Sequence, residues 1–465
     1  MRTLAQRRAL PALHVGLIAA LALLAYWNAF AGSFQFDDFK VIVDNPAVAS
    51  LTAWWQSMPG IRPLLKLSYT LNRSSAGGGV FGFHLVNLAL HIGNVLLVYG
   101  IGRRLLAASP KARNTALLAA LLFAVHPVQS EAVTLISGRS MSLMAFFYLG
   151  SLLAWLDQRR GLSLVAFTAA LAVKETAITL PLALLLVERF RQPGVSLRKA
   201  FADTGGHWLI AALAAAALLL LPWFRHLAAV SLATRPLLDN LITQSAGVLY
   251  LLRQVIWPAA LDADPLLPIF AGWNSLWAIS VPLALGLIAG AVFAWRGSGL
   301  ARWTGFGLLW FLLHLAPTNS VLPRLDVAND RHLYLALAGP SLLAAYGLTR
   351  ALYTWPRLLA AVASVLVLGL TLATHTRNQV YRDEVTFWSD VAGKNPSSSR
   401  AYNNLGYALA NTGQAAAALA AYEMAMRLDP ADFHARLNRR ALCRKLAADG
   451  RPALAATCPQ NPPSP

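Results

Sequence analysis

The stretch HLVNLALHIGNVLLVYGIGRR, residues 84–104, decides the fold class. Residues 84–102 carry no Asp, Glu, Lys or Arg before the pair Arg103–Arg104 closes the run. As a helix they rise about 28 Å, close to the ~30 Å hydrocarbon core of a bilayer. His84, Asn87 and His91 fall at i, i+3 and i+7, on one helical face. Polar groups in a span turn toward the bundle interior. Hydrogen bonding there is the simpler reading; a metal pair is the alternative.

Ten further apolar runs lie at 10–30, 114–126, 138–156, 162–173, 176–190, 207–223, 276–295, 303–318, 331–348 and 357–375. The runs at 114–126, 162–173 and 176–190 are short. Of 465 residues 57% are hydrophobic and only 13% charged, about half the charge of a soluble domain. The reading is an all-α, polytopic membrane bundle of about eleven spans. The first run follows Arg2, Arg7 and Arg8 and lacks a small-residue cleavage site, so it reads as a retained anchor.

With the N-terminus in the cytoplasm and the spans alternating, the inner side holds 17 Lys/Arg against three acids, Asp157, Glu188 and Asp203. The outer loops hold 11 Lys/Arg against 10 acids. This is the positive-inside pattern. It accounts for much of the +19 net charge without a nucleic-acid partner. Residues 239–258 are apolar enough to suggest another span, which would return the tail to the cytoplasm. Arg253 in their middle favours an interfacial helix on the outer face. Two long outer loops, 31–83 and 224–275, are expected to be functional. LTAWWQSMP and RPLLKLSYTLNR in the first read as interfacial helices, and glycines 77–79 as a flexible turn.

The division expected is a membrane domain over 1–376 and a small helical domain over 377–465. In the latter, YNNLGYALANTGQAAAALAAYEMAMRLDP (402–430) places Tyr402, Leu405, Gly406, Ala418, Tyr422, Ala425 and Pro430 at tetratricopeptide-repeat spacing. Trp388 and Pro396 repeat the Tyr422-to-Pro430 interval 34 residues earlier. Such a unit is either a cap or a docking surface for an acceptor protein. Both cysteines, Cys443 and Cys458, lie here, and export would allow a bridge between them.

Ionisable residues gather on the outward side. They are Asp37 and Asp38 after the first span, Arg62 and Lys66 in the loop, and His126, Glu131 and Arg139 around the third span. Lys174 and Glu175 follow between the fifth and sixth. Arg324, Asp326, Asp330, Arg331, His332 and Tyr334 lie between the ninth and tenth. Paired carboxylates can supply a general base whose partner tunes its proton affinity. Asp37 and Asp38 could also hold a divalent metal with water and a phosphate; no other metal site is expected. Basic side chains at a bilayer surface bind phosphate headgroups. His126 before Pro127 is either a helix-end cap or a substrate contact. No phosphate-binding glycine loop, Cys–His zinc spacing or Ser–His–Asp signature is present.

FDDF, RPLLKLS, FHLVNLALH, LLFAVHPVQSEAV with its following GR, VKET and DRHLYL occur in that order. The set resembles the transmembrane O-mannosyltransferases that carry tetratricopeptide repeats, over about residues 30–430. That family belongs to the GT-C class of polytopic glycosyltransferases. The resemblance implies an inverting transfer of a sugar from a polyprenyl-phosphate donor to a hydroxyl, on protein, at the outer membrane face. It implies a catalytic carboxylate at Asp37 or Asp38. It implies donor-phosphate binding by Arg331 and Tyr334, with Lys174 and Arg139 in support. Arg62, His126, Glu131 and Glu175 would line the substrate site. The partners implied are the polyprenyl-phosphate sugar, membrane lipid and an acceptor protein bound through the repeats. The repeat array is far shorter than in animal members. The Arg- and Ala-rich composition fits a bacterial inner-membrane protein with a periplasmic tail. The alternatives are a lipid or glycan acceptor, an envelope scaffold without activity, and a transporter. The last is disfavoured because transporter sites sit near the bilayer midplane between repeated halves.

Overall fold

A computed structural model describes residues 11–58, 60–76, 79–107 and 111–449. All regular structure among the described residues is helical. The contacts divide the chain into two compact units, one of residues up to Leu261 plus Leu267–Asn378, the other of Asp262–Leu266 plus the chain from Gln379.

In the first unit a helix coincides with every one of the eleven expected spans. Five elements, Ala12–Ala31, Val80–Leu105, Ile136–Leu156, Ser275–Trp295 and Pro356–Tyr381, are long and apolar enough to cross a membrane. Two bent pairs raise the number to seven. That number counts only helices of the described residues that pass on length and apolarity. The helices at 160–173, 180–191 and 338–351 are too short to span alone. The bends have local causes. Pro127 ends the Ala112–Ala124 helix, and the chain restarts at 53° through Pro127–Val133. The protein is an integral membrane protein of the all-α class. Its outermost helices expose Leu283, Ile288, Val365 and Leu372, the apolar surface that lipid covers.

Small residues set the helix crossings. A Cβ at Gly339 would lie 2.9 Å from the Gly307 carbonyl oxygen and 2.7 Å from Trp310 Cβ. Only glycine lets the Gly299–Leu315 and Ala338–Ala351 helices meet there. Far from the outward loops, Arg104 donates to both Asp157 oxygens at 2.8 and 2.6 Å. That pair ties the last turn of Val80–Leu105 to the end of Arg139–Leu156. The two stretches read as helices in the loop after the first expected span form Leu51–Gln56 and Pro63–Ala76. Residues 239–258 form the helix Leu237–Ile256, which is not among the helices apolar enough to span. Its inner face is polar (Asn240, Thr243, Gln244, Gln254), while Leu237, Leu238 and Leu241 face outward.

The second unit contains Glu384–Lys394, Ser399–Asn411, Ala415–Leu428 and Phe433–Ala448. Asp383, Ser398 and Asp432 cap three of these helices by accepting from Thr386, Ala401 and Ala435 N–H. Gly406 lies under the Tyr422 ring, where a Cβ would come within 2.7 Å. Residues 262–266 are pinned to this unit: Asn395 donates to Asp262 at 2.6 Å, and Arg400 pairs with Asp264 at 3.3 Å. The Cys443–Cys458 bridge expected from the sequence involves a residue outside the described ones.

Candidate active site

The loop after the first expected span turns sharply at Phe36, whose φ is +47°. A left-handed backbone at a bulky residue is strained by about 1–3 kcal/mol. Its effect is to send the two following carboxylates in different directions. Asp38 is fully buried. Its Oδ2 accepts Gln35 N–H at 3.0 Å and its Oδ1 accepts Ser137 N–H at 2.7 Å. Burial pushes this carboxyl up to about 6, against the two backbone donors. Asp38 thus joins that loop to the Ile136–Gly138 turn. Asp37 keeps 37% of its side chain exposed and accepts from Arg331 Nη1 at 3.2 Å.

Arg331 is aimed by Glu131. That carboxylate is 4% exposed. Its Oε2 accepts Arg331 N–H at 2.8 Å, and its Oε1 lies 3.6 Å from Arg331 Nε. Glu131 is itself placed by a close backbone approach. A Cβ at Gly138 would overlap the Glu131 carbonyl oxygen and sit 2.9 Å from Ala132 Cα. Gly138→Ala should lower stability by about 1–3 kcal/mol through that overlap. Thermal unfolding in detergent measures it; an unchanged midpoint would contradict the account.

The other half of the cluster is basic. Arg62, also left-handed at φ +54°, makes a two-pronged pair with Glu175, its Nε donating to Oε2 at 3.0 Å. Burial would raise the Glu175 carboxyl, but Arg62 and then Lys174 hold it at about 2. Lys174 is buried, with its Nζ 3.0 Å from Met141 Sδ and 3.5 Å from Ser140 Oγ. Among the described residues it forms no ion pair. Burial, then Arg62, push its ammonium well below the usual lysine value; Glu175 opposes, while Arg331 and Arg324 add to the push. Four cations thus converge here, and the carboxylates already hold arginines. An anion entering beside Lys174 relieves that repulsion. Arg62 and Glu175 also line a cavity of about 570 Å³ whose other walls are mostly apolar, among them Leu171, Leu213, Leu218 and Leu227.

Three expected site residues lie elsewhere. Arg139 is fully buried. Its guanidinium donates to Asn87 and Asn72 side chains, both at 2.7 Å, to Phe83 O at 3.0 Å and to Ser68 O at 3.2 Å. Four of its five N–H donors are thus taken up inside the protein, and Arg139 ties helices together. Tyr334 is likewise engaged inside the protein. Its hydroxyl bonds His91 Nδ1 and Asn94, both at 2.9 Å, in the core. His126 caps the Pro127–Gln129 turn and reaches Val255 O at 3.0 Å, the cap of its two readings. His91 hydrogen-bonds within the bundle through Tyr334 and Ala124 O. Each Asp38 oxygen accepts a backbone N–H, which leaves Asp37 the more open carboxylate of the pair. Among the described residues no group of three or more His, Cys, Asp or Glu is placed to hold a metal. Arg324 was visible in PRLDVANDRH, but nothing in the sequence aimed it at Lys174.

No family model matches the chain, and no solved structure matches it. Curated proteins do. Protein O-mannosyl-transferase Tmtc3 of Drosophila melanogaster is 27% identical over 90% of this chain and 56% of its own length. Protein O-mannosyl-transferase TMTC3 of Homo sapiens is 25% identical over 91% of this chain and 52% of its own. Protein O-mannosyl-transferase TMTC1 of Mus musculus is 34% identical over a shorter 36% of this chain and 21% of its own. The chain spans about half the length of the first two relatives. Across nine-tenths of its own length it is homologous to proteins named protein O-mannosyl-transferases.

Proposed function

We propose that the protein is an inverting glycosyltransferase that moves a mannosyl unit from a polyprenyl-phosphate donor to a hydroxyl on protein, at the outer face of the membrane. The observation that carries the reading is the half-open Asp37 carboxylate paired with Arg331, whose charge, with those of Arg62 and Arg324, also acts on buried Lys174. A base and an anion site side by side are what transfer from a glycosyl phosphate requires.

The acceptor oxygen attacks the anomeric carbon as the bond from that carbon to the phosphate oxygen breaks. Asp37 takes the acceptor proton. The electron pair leaves with the polyprenyl phosphate, whose growing negative charge Arg331 and Lys174 stabilise. The mostly apolar cavity beside Arg62 suits the first isoprene units of the tail. Glu131 positions Arg331, and Asp38 positions the loop. The helices from Glu384 onward are proposed to present the acceptor protein. The homologues' names support mannose and a protein acceptor, and the charge asymmetry supports the outer face.

The test is mass spectrometry of membrane and exported proteins from cells with and without the gene. Loss of a hexose mass from a defined set of proteins, restored by the wild-type gene, is expected. An unchanged protein set with a changed glycolipid would move the acceptor to lipid.

A further inference from the structure

A second polar cavity lies at the other end of the bundle. The Val80–Leu105 helix begins beside the active cluster: Asn87 donates to Ile136 O at 3.3 Å, in the turn whose Ser137 N–H bonds Asp38. Leu105 lies roughly 27 Å further along that helix, close to one hydrocarbon thickness away. There Leu105 and Leu106 line a cavity of about 350 Å³ with Lys111 and Arg350. The hydroxyls of Thr115 and Thr349, 3.2 Å apart and both buried, belong to the same wall. No carboxylate is among the described lining residues. Tyr346 stacks on Trp303 at 5.0 Å, and the Lys111 ammonium sits 4.1 Å over the Tyr353 ring. The cavity draws on the ends of four helices: Val80–Leu105, Ala112–Ala124, Gly299–Leu315 and Ala338–Ala351.

We propose that this cavity binds the phosphodiester headgroup of an anionic glycerophospholipid, at the membrane face opposite the catalytic cluster. Two cations without a lining carboxylate favour a phosphate. Thr115 donates to Lys111 O and Thr349 Oγ1, which leaves the Thr349 hydroxyl hydrogen as a donor for a phosphate oxygen. Tryptophan and tyrosine sit at the depth where a headgroup meets the acyl chains. The leucines continue the wall into hydrocarbon, where the glycerol backbone and first methylenes belong. A free phosphate would leave that apolar part of the cavity unused. The ends of four helices would be joined through one lipid. Basic pockets between membrane helices take acidic headgroups in this way.

The test uses the full-length protein in neutral detergent, read by native mass spectrometry. Phosphatidylglycerol, phosphatidylcholine of equal chain length and inorganic phosphate are titrated separately. Wild type should retain phosphatidylglycerol over phosphatidylcholine, and millimolar phosphate should not displace it. Lys111→Ala and Arg350→Ala should each weaken retention roughly fivefold, and the double variant on the order of 30-fold, while Arg350→Lys stays near wild type. Equal retention of the two lipids, displacement by phosphate, or a folded double variant that still prefers phosphatidylglycerol would overturn the proposal. The lipid preference of wild type needs no variant, so a double variant that fails to fold leaves the test intact.

Discussion

Asp37→Asn is expected to lower turnover by about 10²–10⁴-fold, the range a positioned general base contributes, while donor binding stays near wild type. Asparagine keeps the size of the side chain and can still accept from Arg331, but it cannot take a proton from the acceptor. The neighbouring Asp38→Asn should behave differently. Both Asp38 oxygens accept backbone N–H groups. An amide would set one N–H against another and cost about 1–3 kcal/mol of stability. The pH dependence separates the two further. Burial lifts the folded-state Asp38 carboxyl to about 6, so the folded protein binds this proton more tightly than the unfolded chain does. Its contribution to stability is complete below the ordinary aspartate value and is lost as pH rises through about 6. Unfolding midpoints across that window should fall with pH in wild type and lose this component in Asp38→Asn.

Arg331→Ala is expected to cost about 10²–10³-fold in turnover, as the loss of one preorganised donor to developing charge does. It should also destabilise the protein, because Glu131 is left as a buried charge without its partner, a defect of about 3–5 kcal/mol. Adding Glu131→Gln should restore much of that stability and none of the turnover. Steady-state rates and unfolding midpoints on the two single variants and the double variant separate the roles. Equal recovery of rate and stability would make Arg331 purely structural.

The helices were legible because apolar runs in a membrane chain have little choice of conformation. Span number was less legible. Hydropathy gives a run its helix, but the crossing also depends on length and bends, as at the Pro127 break. The strap at 262–266 left no local signal, since its anchor Asn395 lies 133 residues from Asp262. In the site, Asp37, Glu131, Lys174, Glu175, Arg62 and Arg331 carry a cost in an apolar setting, and that cost singled them out. The same cost singled out Arg139, which the core uses: Asn72 and Asn87 satisfy its guanidinium far more locally than a substrate could. Tyr334 was grouped with Arg331 through the RHLY resemblance, yet the Asp330–His332 turn gives way to the Leu333–Ala336 helix between them, and the Tyr334 hydroxyl bonds His91 and Asn94 in the core. Which of two consecutive aspartates meets solvent depends on the left-handed Phe36, a backbone feature that residue type does not announce.

The central claim is that Asp37 accepts the acceptor proton beside a site that holds the donor phosphate. Its most direct test measures both functions on one sample. Purified wild type and Asp37→Asn are compared for retention of a polyprenyl-phosphate mannose and for transfer of the sugar to acceptor protein. Retained donor with transfer reduced by about 10²-fold or more is the predicted result. Transfer by Asp37→Asn at the wild-type rate would contradict the account.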